Sequence, residues 1–274
     1  MADAIPRLLL KAEDKNTRTV SLHQANGKTT TLPCASPAEN LIAASEIDYR
    51  PYRREIQTLR EQHPLFEARF QVSLDDFEDF VAEALLLPSM LQEIDPVGYF
   101  VLEQLLDQSL RQEDDGSASF LLRAANQLLQ ILEEPVRTQV YLRNVLEIAC
   151  DGMERATQQE RFQKLIGTYP ELQPLCDPAL LSHTPSKGQL YAVNSLFALL
   201  GLELALYFRQ DKQRIARCDY CWPYFIPKTR KETHYCDRET AGFPCKQTGS
   251  RLNTNPGAEQ AQALTVSKRH RNRL

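Results

Sequence analysis

Four cysteines near the C-terminal end of the chain are spaced as ligands of a single metal ion. They follow the pattern C-x2-C-x14-C-x8-C and are Cys218, Cys221, Cys236 and Cys245. Four soft thiolates that converge on one point suit a tetrahedral zinc ion and leave no coordination position for water. The pattern therefore predicts one Zn²⁺ ion, bound for a structural rather than a catalytic purpose.

The first cysteine pair has the spacing of a zinc knuckle, a tight turn in which backbone N–H groups donate to the two sulfurs. A glycine usually follows the second cysteine because that position favours a positive φ. Here Trp222 follows it, and a bulky residue in the left-handed region costs about 1–2 kcal/mol. A redox C-x-x-C is the alternative interpretation, but Tyr224–Pro227 does not provide the strand-to-helix context that it requires.

The third ligand position has two candidates. His234 precedes Cys236 by two residues and could replace it. Cysteine is favoured, and His234 is expected either to contact a ligand from outside the ligand set or to be exposed. A module of about 30 residues cannot bury enough apolar surface to fold alone. Structural zinc, which contributes roughly 10–16 kcal/mol in finger peptides, would supply the missing stability.

The segment resembles the cysteine-rich domain of an uncharacterised bacterial family. The family pattern is approximately C-x2-C-G-x-Y-F-I-P-K, then Y-C-D-R, then T-C-K-x-x-G. Besides the first two cysteines, the matching residues here are Tyr224–Lys228, Tyr235–Arg238, Cys245, Lys246 and Gly249. A more distant similarity links it to CGNR-type zinc fingers, which are proposed DNA-binding parts of bacterial regulators. This chain has Trp222 in place of the family glycine and lacks the Asn-Arg that follows the last cysteine in the CGNR type.

Charge is distributed unevenly along the chain. Residues 1–213 hold 20 Lys and Arg against 31 Asp and Glu, whereas residues 214–274 hold 12 against 5. The candidate nucleic-acid contacts are Lys228, Arg230, Lys231, Arg238, Lys246 and Arg251, which are interleaved with Tyr220, Trp222, Tyr224, Phe225 and Tyr235. Such cations can contact phosphates while rings stack on bases. The alternative is that the rings form a small core around the zinc and the cations are merely solvated.

These features lead to three hypotheses about function. The first is a cytosolic zinc-binding protein that contacts nucleic acid through its basic C-terminal end, as a regulator. The second is a protein–protein interaction module in which zinc only holds a docking surface. The third, an enzyme activity in the helical body, has no support, because the chain lacks a phosphate-cradling glycine loop, H-E-x-x-H and G-x-S-x-G.

Composition and the N-terminal sequence point to a cytoplasmic protein. Hydrophobic residues make up 42% and charged residues 25% of the chain, as in ordinary globular proteins. The first residues lack the basic region of a secretory signal, and seven cysteines without such a signal favour a reducing compartment. Residues 189–208 are apolar, but they include Asn194, Ser195 and Glu203, which favours a buried core helix over a membrane span.

The predicted fold is mainly α, in four parts. These are a small β-hairpin segment (1–40), a compact helical domain (41–213), a treble-clef or ribbon-like zinc module (214–250) and a basic flexible tail (251–274). The tail could be a nucleic-acid arm or a frayed end. Asn26-Gly27 is typical of the hairpin turn, and residues 36–50 are interpreted as a linker.

Capping patterns predict where the helices begin. Ser73 with Asp76 resembles a capping box, Asp95-Pro96 is an N-cap followed by proline, and Ser117 or Ser119 can cap the next helix. Pro135 is expected to begin another helix, residues 167–188 to form a loop, and residues 189–210 to form the helix that leads to Cys218. The acidic cluster Asp75, Asp76, Glu78 and Asp79 is interpreted as a solvated helix start.

Overall fold

The computed structural model describes residues 7–14, 17–23, 29–66, 73–110, 117–150, 155–168, 189–193, 195–210, 214–228, 233–240 and 242–254. Helices dominate, which confirms the predicted mainly-α class. The chain forms two compact units. Unit 1 comprises Met1–Ala35, Ile47–Tyr141 and Pro174–Leu202, and unit 2 comprises Ser36–Glu46, Leu142–Gln173 and Glu203–Leu274.

Unit 1 contains a four-stranded antiparallel sheet in the order β3-β2-β1-β4. Its strands are β1 (Arg7–Asp14), β2 (Thr17–His23), β3 (Thr29–Cys34) and β4 (Gln189–Val193). The predicted hairpin corresponds to β2 and β3, and its Asn26-Gly27 turn lies outside the described residues. The prediction of a helix from residue 189 was wrong: residues 189–193 pair with β1, Leu10 opposite Tyr191, a partner too remote in sequence for local periodicity to reveal.

The helices of unit 1 are α2 (Arg50–Gln62), α3 (Leu74–Ala84), α4 (Pro96–Leu110), the first part of α5 (Ala118–Cys150) and the first half of α7 (Leu196–Gln210). Short 3₁₀ turns at Pro64–Phe66 and Leu87–Leu91 connect some of them. The apolar faces of α2, α3, α4 and α5 share one core, which includes Tyr52, Leu59, Phe80, Leu102, Leu106, Leu128 and Leu132. The Tyr52 hydroxyl donates to the Leu132 carbonyl at 3.0 Å, which satisfies a polar group inside that core.

The predicted caps of these helices are confirmed. Ser73 and Asp76 form the capping box of α3, and Ser117 Oγ accepts from the Phe120 amide at 3.1 Å. Asp95 Oδ1 accepts from the Gly98 amide at 2.9 Å at the start of α4. A Cβ on Gly98 would lie only 2.0 Å from Asp95 Oδ2, so this cap requires glycine there.

Pro135 lies inside α5, which runs unbroken from Ala118 to Cys150. The prediction that a new helix begins at Pro135 was therefore wrong. An internal proline costs about 3 kcal/mol, but buried leucines at helical spacing continue on both sides of it, Leu128 and Leu132 before and Leu142 and Leu146 after. Burying these side chains, each worth about 1.5–3 kcal/mol, outweighs the missing hydrogen bond.

Unit 2 begins with α1 (Pro37–Glu46), where the sequence was interpreted as a linker. The sequence itself carries a helix signal here, since Ser36 and Glu39 have the S-x-x-E spacing of a capping box. Ser36 Oγ accepts from the Glu39 amide at 3.3 Å, and Glu39 Oε2 accepts from the Ser36 amide at 2.9 Å. The linker interpretation is thus corrected.

The other helices of unit 2 are the end of α5, α6 (Arg155–Thr168), the second half of α7 (Leu196–Gln210) and α8 (Cys245–Thr254). Phe162 stacks on Phe208 with ring centroids 4.1 Å apart. The predicted burial of the apolar segment is confirmed for α7, whose Glu203 is only 3% exposed and accepts from Asn40 Nδ2 at 3.1 Å. In the part of the chain that the structure describes, every helix is too short or too polar to cross a membrane.

Candidate metal centre

Two short hairpins and a helix position the four cysteines within unit 2. Strand β5 (Ala216–Arg217) pairs with β6 (Tyr224–Phe225), and the turn between them carries Cys218 and Cys221. Cys236 precedes the second hairpin, β7 (Glu239–Thr240) with β8 (Phe243–Pro244). Cys245 is the first residue of α8 (Cys245–Thr254), where the helix N-terminus favours a negative ligand. A knuckle, a hairpin and a ligand at a helix start make the module treble-clef-like.

The four sulfurs meet the geometric requirements of a single metal ion. All four Sγ atoms lie within 4.8 Å of one another, and those of Cys221 and Cys236 are 3.5 Å apart. A tetrahedral ion with Zn–S bonds of about 2.3 Å separates its sulfurs by about 3.8 Å. Each cysteine is at most 3% exposed, and none is in a disulfide. The cluster can therefore hold a metal ion with its shell closed to solvent.

The knuckle turn has the left-handed residue that the spacing predicts. Trp222 has φ +77°, and its amide donates to the Cys218 carbonyl at 2.9 Å. The Cys218 amide in turn donates to the Pro223 carbonyl at 3.1 Å. The Arg217 guanidinium lies 4.5 Å from the centroid of the Trp222 ring, a cation–π contact worth about 0.5–1 kcal/mol at exposed sites. This contact offsets part of the backbone strain.

The thiols of the cluster strongly perturb one another's ionisation. A hydrogen bond from Cys221, aided by backbone donors at Tyr220, Cys221 and Cys236, lowers the pKa of Cys218 to about 4. The hydrogen bond to Cys218 and burial raise the pKa of Cys221, and burial raises the pKa of Cys236 to about 11. A thiolate at Cys218 is thus tolerated without a cation, whereas further negative charges at Cys221 and Cys236 are disfavoured. Four thiolates at this point need a metal cation to balance them.

His234 lies outside the cluster, as predicted. Its side chain is 54% exposed, and its Nδ1 lies 3.2 Å from Asp219 Oδ2. Among the described residues, the only group of His, Cys, Asp and Glu that could hold a metal ion is the cysteine quartet. Asp75, Asp76, Glu78 and Asp79 are not such a group, and Asp76 belongs to the helix cap.

Aromatic residues form a small core around the sulfurs. Tyr220, Phe225 and Tyr235 pack against the four cysteines, as the alternative interpretation of these rings predicts. Gly249 is buried in α8, and a Cβ there would lie 2.2 Å from Tyr235 Cε1. With the Tyr235 ring in this position, there is no space for a side chain at position 249. The sequence shows this glycine only as a matching position of the resemblance.

The structure brings together two of the six predicted nucleic-acid contacts. Lys228 and Lys246 line one small depression of about 60 Å³ with Phe225 and Tyr235. Lys228 Nζ pairs with Asp237 Oδ2 at 2.7 Å, and Arg238 pairs instead with Glu46 Oε1 at 2.8 Å. The backbone of Arg251 lies in α8. Arg230, Lys231 and residues 255–274 of the basic tail lie outside the described residues.

Comparisons with protein-family models, with curated proteins and with solved structures found no match for this chain. The proposed function therefore rests on the geometry of the cysteine cluster and not on similarity to known proteins.

Proposed function

We propose that this chain is a zinc-binding protein in which one Zn²⁺ ion, held by Cys218, Cys221, Cys236 and Cys245, stabilises the C-terminal module. The observation that carries the proposal is the convergence of four buried sulfurs within 4.8 Å. An all-cysteine, tetrahedral set is typical of structural zinc, whereas catalytic zinc keeps one position open for water.

The module itself has little else to hold it together. Its four strands are two residues long each, and its core consists of the cysteines and three partly buried rings. A core of this size does not offset the conformational entropy of its chain. The ion would supply the missing free energy, so that metal binding and folding of the module are one event.

Metal content of matched cysteine variants tests this proposal. We expect about one zinc per chain in the freshly purified protein and a large loss in Cys218→Ser, because a hydroxyl is a poor zinc ligand. Cys150→Ala is the matched control, since Cys150 is also buried and not in a disulfide but belongs to α5. Full zinc content in Cys218→Ser would contradict the proposed ligand set.

We further propose nucleic-acid binding as a second candidate function of the module. The supporting observation is that Lys228 and Lys246 share a depression with the rings of Phe225 and Tyr235. Cations that can reach phosphates beside rings that can stack on bases are the elements of single-strand recognition. Asp237, which pairs with Lys228, would have to release that lysine to a phosphate.

Salt dependence tests the second candidate. Binding of a fluorescent oligonucleotide is expected to weaken by about tenfold or more between about 50 and 200 mM salt, even for a few phosphate contacts. The reason is that binding releases counterions from the phosphates, and this release is less favourable at higher salt. Lys246→Gln should weaken binding and flatten the slope, whereas Lys164→Gln, a change on α6 outside the module, should not. The absence of binding at low salt would remove this function and leave the zinc centre untouched.

A further inference from the structure

A groove in unit 1, remote from the cysteine cluster in sequence, combines an apolar floor with a cationic rim. Its volume is about 790 Å³, within the range of about 300–1,000 Å³ typical of small-molecule sites. Helix α2 contributes Arg53, Ile56 and Arg60, and helix α5 contributes Val136, Arg137 and Val140. Positions three, four and seven residues apart lie on one face of a helix, so each helix presents a continuous row to the groove.

The floor of the groove is apolar and incompletely covered. Ile56 is 4% exposed and belongs to the core, whereas Val140 is 50% exposed. Val136 and Phe66 are partly buried and pack against the same core. The hydrogen bond from Tyr52 to Leu132 fixes α2 against α5. The floor is therefore preformed, and covering it would remove apolar surface from water.

The rim carries three guanidinium groups that form no ion pair with a carboxylate of the described residues. Among the described residues no ion pair includes Arg53, Arg60 or Arg137, although Arg50 and Arg238 are paired with carboxylates elsewhere. Arg137 makes a long hydrogen bond, 3.5 Å, to the Gln130 carbonyl, and its charge also acts on Glu134, three residues earlier in α5. Arg53 and Arg60 are seven residues apart on α2, so their Cα atoms are separated by about 10 Å along the axis.

Two carboxylates also line the groove, Glu61 and Glu133. Glu61 Oε1 accepts a hydrogen bond from Gln57 Nε2 at 2.7 Å, within its own helix. Three guanidiniums against two carboxylates leave this groove positive, whereas residues 1–213 as a whole hold 31 Asp and Glu against 20 Lys and Arg. The local excess of positive charge favours an anionic ligand.

We propose that the groove between α2 and α5 binds an organic anion with an apolar chain, of the class of medium-chain carboxylates. Its carboxylate is held by the arginines of the rim, because a guanidinium matches a carboxylate in two parallel hydrogen bonds. Its hydrocarbon chain covers Val136, Val140 and Phe66. This site is independent of the metal centre, and neither proposal depends on the other.

Calorimetric titration of the zinc-loaded full chain with decanoate tests the proposal. We expect saturable binding of one decanoate, and at least tenfold weaker binding of both decanol, which lacks the charge, and inorganic phosphate, which lacks the chain. Arg60→Gln and Arg137→Gln should each weaken decanoate binding by about tenfold, in proportion to the loss of a charge-assisted hydrogen bond. Circular dichroism would verify that these exposed substitutions leave the fold intact.

Two further variants test whether decanoate binds in the groove or is attracted by positive charge elsewhere on the surface. Arg54→Gln removes an exposed arginine from α2 that does not line the groove and should leave the affinity unchanged. Val140→Glu places a negative charge on the exposed part of the floor and should abolish binding. The proposal is overturned if decanoate does not bind saturably, if phosphate or decanol binds as tightly, or if Arg54→Gln weakens binding as much as Arg60→Gln.

Discussion

At the scale of single residues, the cysteine module has a strained backbone at the one position that brings two sulfurs together. Trp222 lies in the left-handed region at φ +77°, which glycine enters without cost and a bulky residue does not. Its amide bond to the Cys218 carbonyl closes the knuckle. The Arg217 contact with its ring explains how a tryptophan is accommodated at a position that favours glycine.

Two substitutions at this position separate the strain from the ring contact. Trp222→Gly and Trp222→Ala both remove the contact with Arg217, but only glycine relieves the left-handed backbone. We therefore expect Trp222→Gly to be more stable than Trp222→Ala by about 1 kcal/mol, measured by urea unfolding of the metal-loaded proteins. Equal stability, or a more stable alanine variant, would contradict this account of the knuckle.

A second residue-scale requirement is Gly249. Its missing side chain leaves space for Tyr235, one of the rings packed on the cysteines. Gly249→Ala should displace that ring and lower the unfolding free energy of the module by about 1–3 kcal/mol, as overpacking does in other cores. Gly167→Ala in α6 is the matched control, because nothing lies within 4 Å of a Cβ at that position. Equal effects of the two substitutions would exclude the proposed close packing.

At the scale of elements, a carboxylate from α5 caps α7 within unit 1. Glu134 Oε1 accepts from the amides of Leu196 and Phe197 at 2.8 and 3.5 Å, two of the donors that a helix start leaves unsatisfied. Burial raises the pKa of Glu134 above its ordinary value of 4.5, although both amides and Arg137 oppose the shift. The cap is thus formed by a charge that is partly desolvated.

The raised pKa has a consequence for stability against pH. Below about pH 4.5 Glu134 is protonated in both the folded and the unfolded chain. As the pH rises through the folded pKa the wild type loses stability, because the unfolded state releases its proton first. Glu134→Gln keeps an acceptor and has no such loss, so its stability relative to wild type should increase with pH. The measurement is urea unfolding of both proteins from about pH 4 to 8, and a constant difference between their unfolding free energies would contradict this expectation. Glu55→Gln, a change at an exposed glutamate of α2, is the control.

Local sequence patterns predicted the helices whose ends carry their own signals, such as Ser73 with Asp76 and Asp95 with Gly98. They predicted the wrong structure where distant residues decide it. Strand β4 depends on pairing with β1, and α5 continues through Pro135 because its leucines are buried on both sides. For the candidate metal centre, the spacing identified all four cysteines that converge, since a metal site requires particular residue types at particular spacings. The spacing could not show that Lys228 pairs with Asp237 and Arg238 with Glu46.

At the scale of the whole molecule, unit 2 joins the metal centre to the helices through one buried network. Tyr207 Oη donates to Gln158 Oε1 at 2.9 Å and accepts from the Ile215 amide at 2.9 Å. Gln158 Nε2 donates to the Ile215 carbonyl at 2.8 Å. Ile215, three residues before Cys218, is thereby anchored on both its backbone groups. The module therefore begins from a fixed point, and the proposed ion would have to order only the residues C-terminal to Ile215.

Removal of the metal should therefore unfold the module and leave the core of unit 1 intact. After treatment with a strong chelator, hydrogen exchange is expected to show lost protection in residues 216–254. Protection around Leu128 and Leu132 in α5 should persist, because that core contains none of the metal ligands. Unchanged protection of the module after complete metal removal would show that its fold does not depend on the ion.

X-ray absorption at the zinc edge of the purified protein is the sharpest test of a closed four-sulfur zinc site. We expect one shell of four sulfur atoms at about 2.3 Å and no nitrogen or oxygen ligand. A shell that includes nitrogen or oxygen at about 2.0–2.1 Å, or a sample without bound zinc, would contradict it.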